Sequence, residues 1–192
     1  GVLRDEFLSL ISSQRLMPSS PILFNADTCN NMLSACTGVV LAADSIEAIM
    51  QAVTECATLT ADGAGVGVNI TPLRWNNAPL SRKGSASGAC SWLTLFDAVG
   101  QTIRQGGRNR RAALIALLHI EHPDVVEFIH VKDDLGKLNH MNISLQITDA
   151  FMEAVAADDW WQFRFPVATG PVVEMHVTPV DMDGRADKRW TV

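Results

Sequence analysis

No apolar run in these 192 residues is long enough to cross a bilayer as a helix, so no membrane partner is expected. The opening stretch, Gly1-Val2-Leu3-Arg4-Asp5-Glu6, lacks the basic and apolar regions of a secretory signal. Positive charge is scarce: 15 Lys and Arg stand against 21 Asp and Glu, and a net charge of −6 argues against a nucleic-acid-binding surface. The four cysteines (Cys29, Cys36, Cys56, Cys90) contain no CxxC pair, which disfavours a zinc ribbon or a thioredoxin-type motif. A reducing, cytoplasmic setting follows as an expectation, with the cysteines as buried thiols or redox groups rather than a disulfide framework. Internal repeats and low-complexity segments are lacking too.

What is present is an ordinary globular composition, 47% apolar and 19% charged, in a chain long enough for one core. Helical and strand patterns alternate. Residues 4–16 read as a short helix. Asp44 and Glu47 have capping-box spacing, and Ile46, Ile49, Met50, Val53 and Ala57 form a stripe of helical period that stops near Asp62-Gly63. Val66, Val68 and Ile70 then alternate as in a strand. A second helix is expected from about Ser91 to Arg104, carrying Leu93, Phe96, Val99 and Ile103. Ala113 to Ile120 reads as a buried strand, and Pro123 as the first residue of a helix through Lys132 that buries Val126 and Ile129. Ile143, Leu145 and Ile147 alternate again, and Asp149 caps a helix with Phe151, Met152 and Val155. The pattern is α/β. Signals weaken after Pro166.

The densest chemistry lies in Arg104-Gln105-Gly106-Gly107-Arg108-Asn109-Arg110-Arg111. Arginine forks suit phosphate, and paired glycines let a backbone approach a ligand. The residues alone leave open a solvated basic loop or an anion-binding one. Gly63-Ala64-Gly65-Val66-Gly67 sits between a helix and a strand, the reverse of the dinucleotide-binding order, so it is a tight turn or a close approach to substrate. His119 and His122 fit a strand end and a helix cap better than a metal site, and none is assigned. His130, His140 and His176 suggest no partner. Cysteines such as Cys36, Cys56 and Cys90 are by default small buried hydrophobes.

Several further segments stand out when taken in order. They are Met17-Pro18-Ser19-Ser20-Pro21-Ile22-Leu23-Phe24-Asn25-Ala26, Leu33-Ser34-Ala35-Cys36, Asp44-Ser45-Ile46, Gly63 to Gly67, Leu73-Arg74 and Gly84 to Gly88. Gln105-Gly106-Gly107, His122-Pro123-Asp124 with Glu127-Phe128-Ile129, and Asn142-Ile143-Ser144 follow. Together they resemble the large catalytic chain of ribonucleotide reductase over roughly residues 14–166, with the flavour of the adenosylcobalamin-dependent class II enzymes.

The resemblance implies the first half of a ten-stranded α/β barrel with helices packed around the strands. It implies that Cys36 is one thiol of the redox pair that reduces the ribose 2′ position. Ser20, Ala35, Cys36 and Gly65 would line the substrate, a ribonucleoside di- or triphosphate. Asp44, Ser45, Ile46 and Arg74 would bind a deoxynucleoside triphosphate effector. Gln105, Gly106, Gly107, Arg108, Arg110 and Arg111 would form the loop that couples effector to substrate, with Arg110 the foremost contact. The helices at Asp44 and Ser91 would build much of a homodimer contact, and a thioredoxin-like protein would supply electrons.

Ser19 and Ile22 depart from the asparagine and threonine common in the family. The Asn-Pro-Cys-Gly-Glu type motif of the thiyl-radical cysteine does not occur, nor does the second redox cysteine. Residues 1–192 are therefore expected to be the N-terminal portion of one catalytic barrel domain, inactive without the downstream half. The sequence contains no tyrosine, which does not separate the classes, because radical-relay tyrosines would lie further downstream. A non-catalytic deoxynucleotide-binding regulatory module and a class I large-chain portion are the competing readings.

Overall fold

The computed structural model describes residues 2–28, 32–81, 83–105, 110–134 and 136–173. The elements begin with α1 (Val2–Ser12), α2 (Ser20–Asn25), β1 (Cys36–Val40), α3 (Ile46–Asp62) and β2 (Gly65–Asn69). Then come β3 (Asn76–Pro79), β4 (Ser85–Ser87), α4 (Ala89–Thr102), β5 (Arg104–Gln105) and β6 (Arg110–Arg111). The last are β7 (Leu114–His119), α5 (Val125–His130), β8 (Asn142–Gln146) and α6 (Asp149–Ala157).

One parallel sheet runs in the order β1-β2-β7-β8, each strand laid beside the sheet strand before it. Parallel neighbours need crossovers, and the helices supply them. The expected α/β alternation is what forms. β3–β4 and β5–β6 are two small antiparallel ribbons outside that sheet.

The helix-covered face of the sheet is the core. Val39, Val66, Val68, Leu114, Ala116 and Leu118 cluster with Ile49, Ala52 and Cys56 of α3 and with Leu93, Phe96 and Val99 of α4. Fully burying each large apolar side chain contributes roughly 1.5–3 kcal/mol. Alternate residues point to the opposite face. There Cys36, Gly38 and Val40 line up with Gly65, Gly67 and Asn69 in register, and Val40 is 80% exposed.

Several boundaries differ from the sequence reading. The first helix is Val2–Ser12 rather than 4–16, and none of its residues is buried. At α3 the N-cap is Ser45, whose hydroxyl accepts the Ala48 N–H, because the Asp44 carboxylate is held by Arg74. The buried stripe of α3 is Ile49, Ala52, Cys56 and Thr60, while Ile46 and Met50 are exposed. Its end at Gly63 is as expected, with a left-handed φ of 108° that favours glycine. α4 starts at Ala89, two residues early, and buries Leu93, Phe96 and Val99. α5 starts at Val125, not Pro123, and buries Val125 and Phe128 with Ile129 exposed. Thr148, not Asp149, caps α6 through the Phe151 N–H. Cys29, His176 and the arginine-loop residues Gly106, Gly107, Arg108 and Asn109 lie outside the described residues, as does everything from 174 on.

Candidate functional site

β1 opens at Cys36, which faces Gly65 across the first rung of the β1–β2 pairing. Gly65 N–H donates to Ala35 O at 2.9 Å, and Val66 N–H donates to Ala113 O at 2.8 Å. These bonds draw Ala35, Cys36, Gly65 and Ala113 into one row at the N-terminal edge of the sheet. Cys36 is an exposed free thiol, against the default of a buried one. Among the described residues, a Cβ added at Gly38 meets nothing within 4 Å. Ser20 is exposed at the first position of α2.

The same edge carries the arginine ribbon. Arg104 stands opposite Arg111 and Gln105 opposite Arg110, with β7 starting three residues after Arg111. Two like charges directly across a ribbon repel.

The C-terminal edge holds a different group. Arg74 forms an ion pair with Asp44 through its Nε, and its Nη2 donates to the Asp44 carbonyl at 3.2 Å. Asp44 follows β1 and Arg74 follows β2, so parallel pairing brings together two residues thirty apart. Ser45 caps α3 beside them, and Ile46 is 64% exposed. The predicted residues thus fall into two sets: Ala35, Cys36, Gly65 and the ribbon at one edge, and Asp44, Ser45, Ile46 and Arg74 at the other.

A buried polar hub joins the layers, and sequence reasoning treated its residues only as a strand end and a cap. The Asp124 carboxylate accepts Asn76 N–H at 2.9 Å and Ala89 N–H at 2.8 Å, which ties β3 to the first turn of α4. His122 Nδ1 accepts Asp124 N–H at 3.0 Å, which makes Nε2 the protonated nitrogen, 2.7 Å from Leu73 O. Burial lowers the pKa of the His122 ring, against the opposing pull of the Leu73 carbonyl and the Asp124 carboxylate. Gly88 completes the packing: its φ is +82°, and an added Cβ would stand 2.8 Å from Asp124 Oδ2 and Asn76 Cβ. The His-Pro-Asp run was the available signal, but its partners are 35 to 49 residues away.

Cys56 and Cys90 are buried in the core. Burial pushes the Cys56 thiol up to about 12, with Glu55 adding to it, and pushes Cys90 higher still, with Glu127 and Asp124 adding. Neither is a thiolate near neutrality. His130 faces Asp133 and His140 faces Asp97, partners the sequence did not suggest.

Against known proteins, the family model for the ribonucleotide reductase barrel domain matches residues 34–183. A vitamin B12-dependent ribonucleoside-diphosphate reductase of Thermoplasma acidophilum is 39% identical over 158 residues, 81% of this chain and 20% of that protein. One from Mycobacterium tuberculosis is 35% identical over 171 residues, 88% of this chain and 24% of that protein. The ribonucleoside-diphosphate reductase large subunit of Arabidopsis thaliana is 30% identical and matches 98% of this chain. The chain spans about a fifth to a quarter of the length of these relatives. In three dimensions it is similar to the Actinobacillus ureae class Id ribonucleotide reductase alpha subunit, with a TM-score of 0.70 at 22% identity over 81% of this chain and 28% of that one. The family match covers most of the chain, including the parallel sheet with its exposed Cys36, and the chain belongs to the ribonucleotide reductase barrel-domain family.

Proposed function

We propose that this chain works as the N-terminal portion of a ribonucleoside-diphosphate reductase. It would supply one redox thiol, part of the substrate floor and the effector-sensing elements. The observation that carries this is the exposed Cys36 in register with Gly65, on a sheet face that glycines keep clear. Reduction at the ribose 2′ position consumes two electrons. Two thiols become a disulfide as the 2′ hydroxyl leaves as water, and Cys36 with a thiol from the remainder of the reductase would provide them. A thioredoxin-like reductant would then restore the dithiol.

Ser20, Ala35 and Gly65 would line the nucleotide. The Gly65 backbone is held to β1 by its pairing with Cys36 and its bond to the Ala35 carbonyl, so what it would offer substrate is the space its missing side chain leaves. At the opposite edge, Arg74 would meet the phosphates of a deoxynucleoside triphosphate, and Asp44 with Ser45 and Ile46 would hold its sugar. Gln105 to Arg111 would carry that occupancy to the substrate, from the ribbon in which Arg104 pairs with Arg111. The exposed Ile46 and Met50 of α3 fit a contact with a second copy, as in a homodimer. Cytoplasmic placement goes with this reading.

The B12-dependent relatives point to adenosylcobalamin, which would generate the radical. Among the described residues no group of three or more His, Cys, Asp or Glu could hold a metal ion, so no residue here is assigned to cobalt. The match of 98% of the chain to a plant large subunit supports a second reading, a class I chain that receives its radical from another protein.

The test combines this chain with the rest of its reductase, with and without adenosylcobalamin, and sets Cys36→Ser beside the parent. Reduction that needs cobalamin and Cys36 is expected. Reduction without cobalamin moves the assignment to class I. Effector binding with no reduction under any condition leaves a regulatory module.

A further inference from the structure

α4 spans the sheet from one edge to the other, and each end is held by a carboxylate. Its first turn is tied to Asp124. Near its other end, Asp97 accepts His140 N–H at 2.7 Å, and its second oxygen lies 3.4 Å from His140 Nδ1. The Asp97 side chain is only 17% exposed. Gly100, one turn further, presses on the same residue: an added Cβ would stand 2.7 Å from His140 O and 3.0 Å from His140 Cβ. His140 is itself fixed from behind, since Lys132 Nζ donates to Met141 O at 2.6 Å and Leu138 and Met141 are buried.

This clasp sits at the base of the arginine ribbon. Ile103 caps α4 at its C-terminus, Arg104 opens the ribbon, and Arg111 closes it. Arg111 then lines a cleft of about 140 Å³ together with Gly100, Asn139, His140 and Asn142. The cleft is therefore walled by the clasp on one side and by the ribbon on the other. β7 and β8 begin at its rim, with Ile115 paired to Asn142.

We propose that Asp97 and His140 are positioning residues for the arginine ribbon: their clasp fixes the foot of α4 against the start of β8 and so sets where the ribbon stands relative to the Cys36 face. This rests on the reading of residues 105–111 as the loop that couples effector to substrate. A coupling element biases a distant site only if its base holds still. A sliding α4 foot would absorb the effector's push before it reached the substrate.

The experiment uses the whole reductase polypeptide that carries this segment. It measures the ratio of reduction rates for two competing ribonucleotides, with and without a saturating deoxynucleoside triphosphate. Asp97→Ala, Asp97→Asn, Gly100→Ala and, as a packing control on α5 away from the clasp, Val126→Ala are compared. In Asp97→Ala and Gly100→Ala the effector-driven change in that ratio is expected to fall by about two- to thirty-fold, with effector-free reduction unchanged. Asp97→Asn retains an acceptor for the His140 N–H and is expected to restore most of the response. Should Gly100→Ala fail to fold, the Asp97 pair decides alone. An undiminished response in Asp97→Ala overturns the proposal, as does an equal loss in the control. A parent with no effector response overturns the coupling-loop reading and the clasp with it, whereas a responsive parent with responsive variants overturns only the clasp.

Discussion

Cys36 and Gly65 face each other on the first rung of the β1–β2 pairing, and the Gly65 N–H is bonded to the residue just before the thiol. Any side chain added at position 65 projects beside that thiol. The nearest atoms to such a Cβ are Ala35 O at 3.4 Å and Ala113 Cβ at 3.5 Å, which is ordinary contact. Gly65→Ala is therefore expected to fold with stability within about 1 kcal/mol of the parent. Reduction by the assembled enzyme should nonetheless drop, because the added methyl occupies the substrate floor. Melting curves run beside turnover check both halves, and full turnover would remove Gly65 from that floor.

The described thiols should separate by reactivity. Cys36 is exposed, whereas Cys56 and Cys90 are buried and stay protonated at pH 8 because burial raises their pKa. Brief alkylation at pH 8, read by peptide mass spectrometry, is expected to modify Cys36 first and to leave Cys56 and Cys90 until the chain is unfolded. Early labelling of Cys90 would contradict the packing of α4 on the sheet.

Asp124 holds two backbone donors, the buried Ala89 N–H and the half-buried Asn76 N–H. Asp124→Ala strands both the Asn76 and the Ala89 N–H groups, and a loss of roughly 2–5 kcal/mol is expected. Asp124→Asn keeps one acceptor oxygen and should cost less. Urea unfolding midpoints of the two variants would show this order, and equal midpoints would mean that the carboxylate does not bear the hub.

Stability should be greatest over a window of pH set by the buried groups. His122 has a lowered pKa in the fold, so its contribution is present above its ordinary value of 6.5 and is lost as pH falls below it. Cys56 is raised from an ordinary 9.0 to about 12, so its contribution is complete below 9.0 and is lost as pH rises toward 12. Thermal midpoints measured across pH 5 to 10 should form a plateau between those limits. A midpoint still climbing above pH 9 would conflict with buried, protonated thiols.

Local pattern made much of this fold legible. Val66 and Val68 alternate because one sheet face is covered and the other is not, and Gly63 ends α3 because the chain turns left-handed there. What misled was competition from afar. Asp44 has N-cap chemistry and correct spacing to Glu47, but Arg74, thirty residues on, takes its carboxylate and leaves the cap to Ser45. On α3, hydrophobicity alone marked Ile46 and Met50 as core, yet the smaller Ala52, Cys56 and Thr60 are what fit against α4 and the sheet. Asp124 entered only through the family likeness of His122-Pro123-Asp124, since nothing nearby in sequence reveals the two amides it serves. Cys36 received a role from family resemblance, not from periodicity. Its exposure and its register with Gly65 became visible only once the strands were paired.

The strand order β1-β2-β7-β8 bears on how the protein is made. A strand leaving the ribosome always finds its template already synthesised and waiting, since each pairs with the sheet strand before it. Within these four strands the sheet can therefore extend at the pace of translation, its growing margin always at the newest strand.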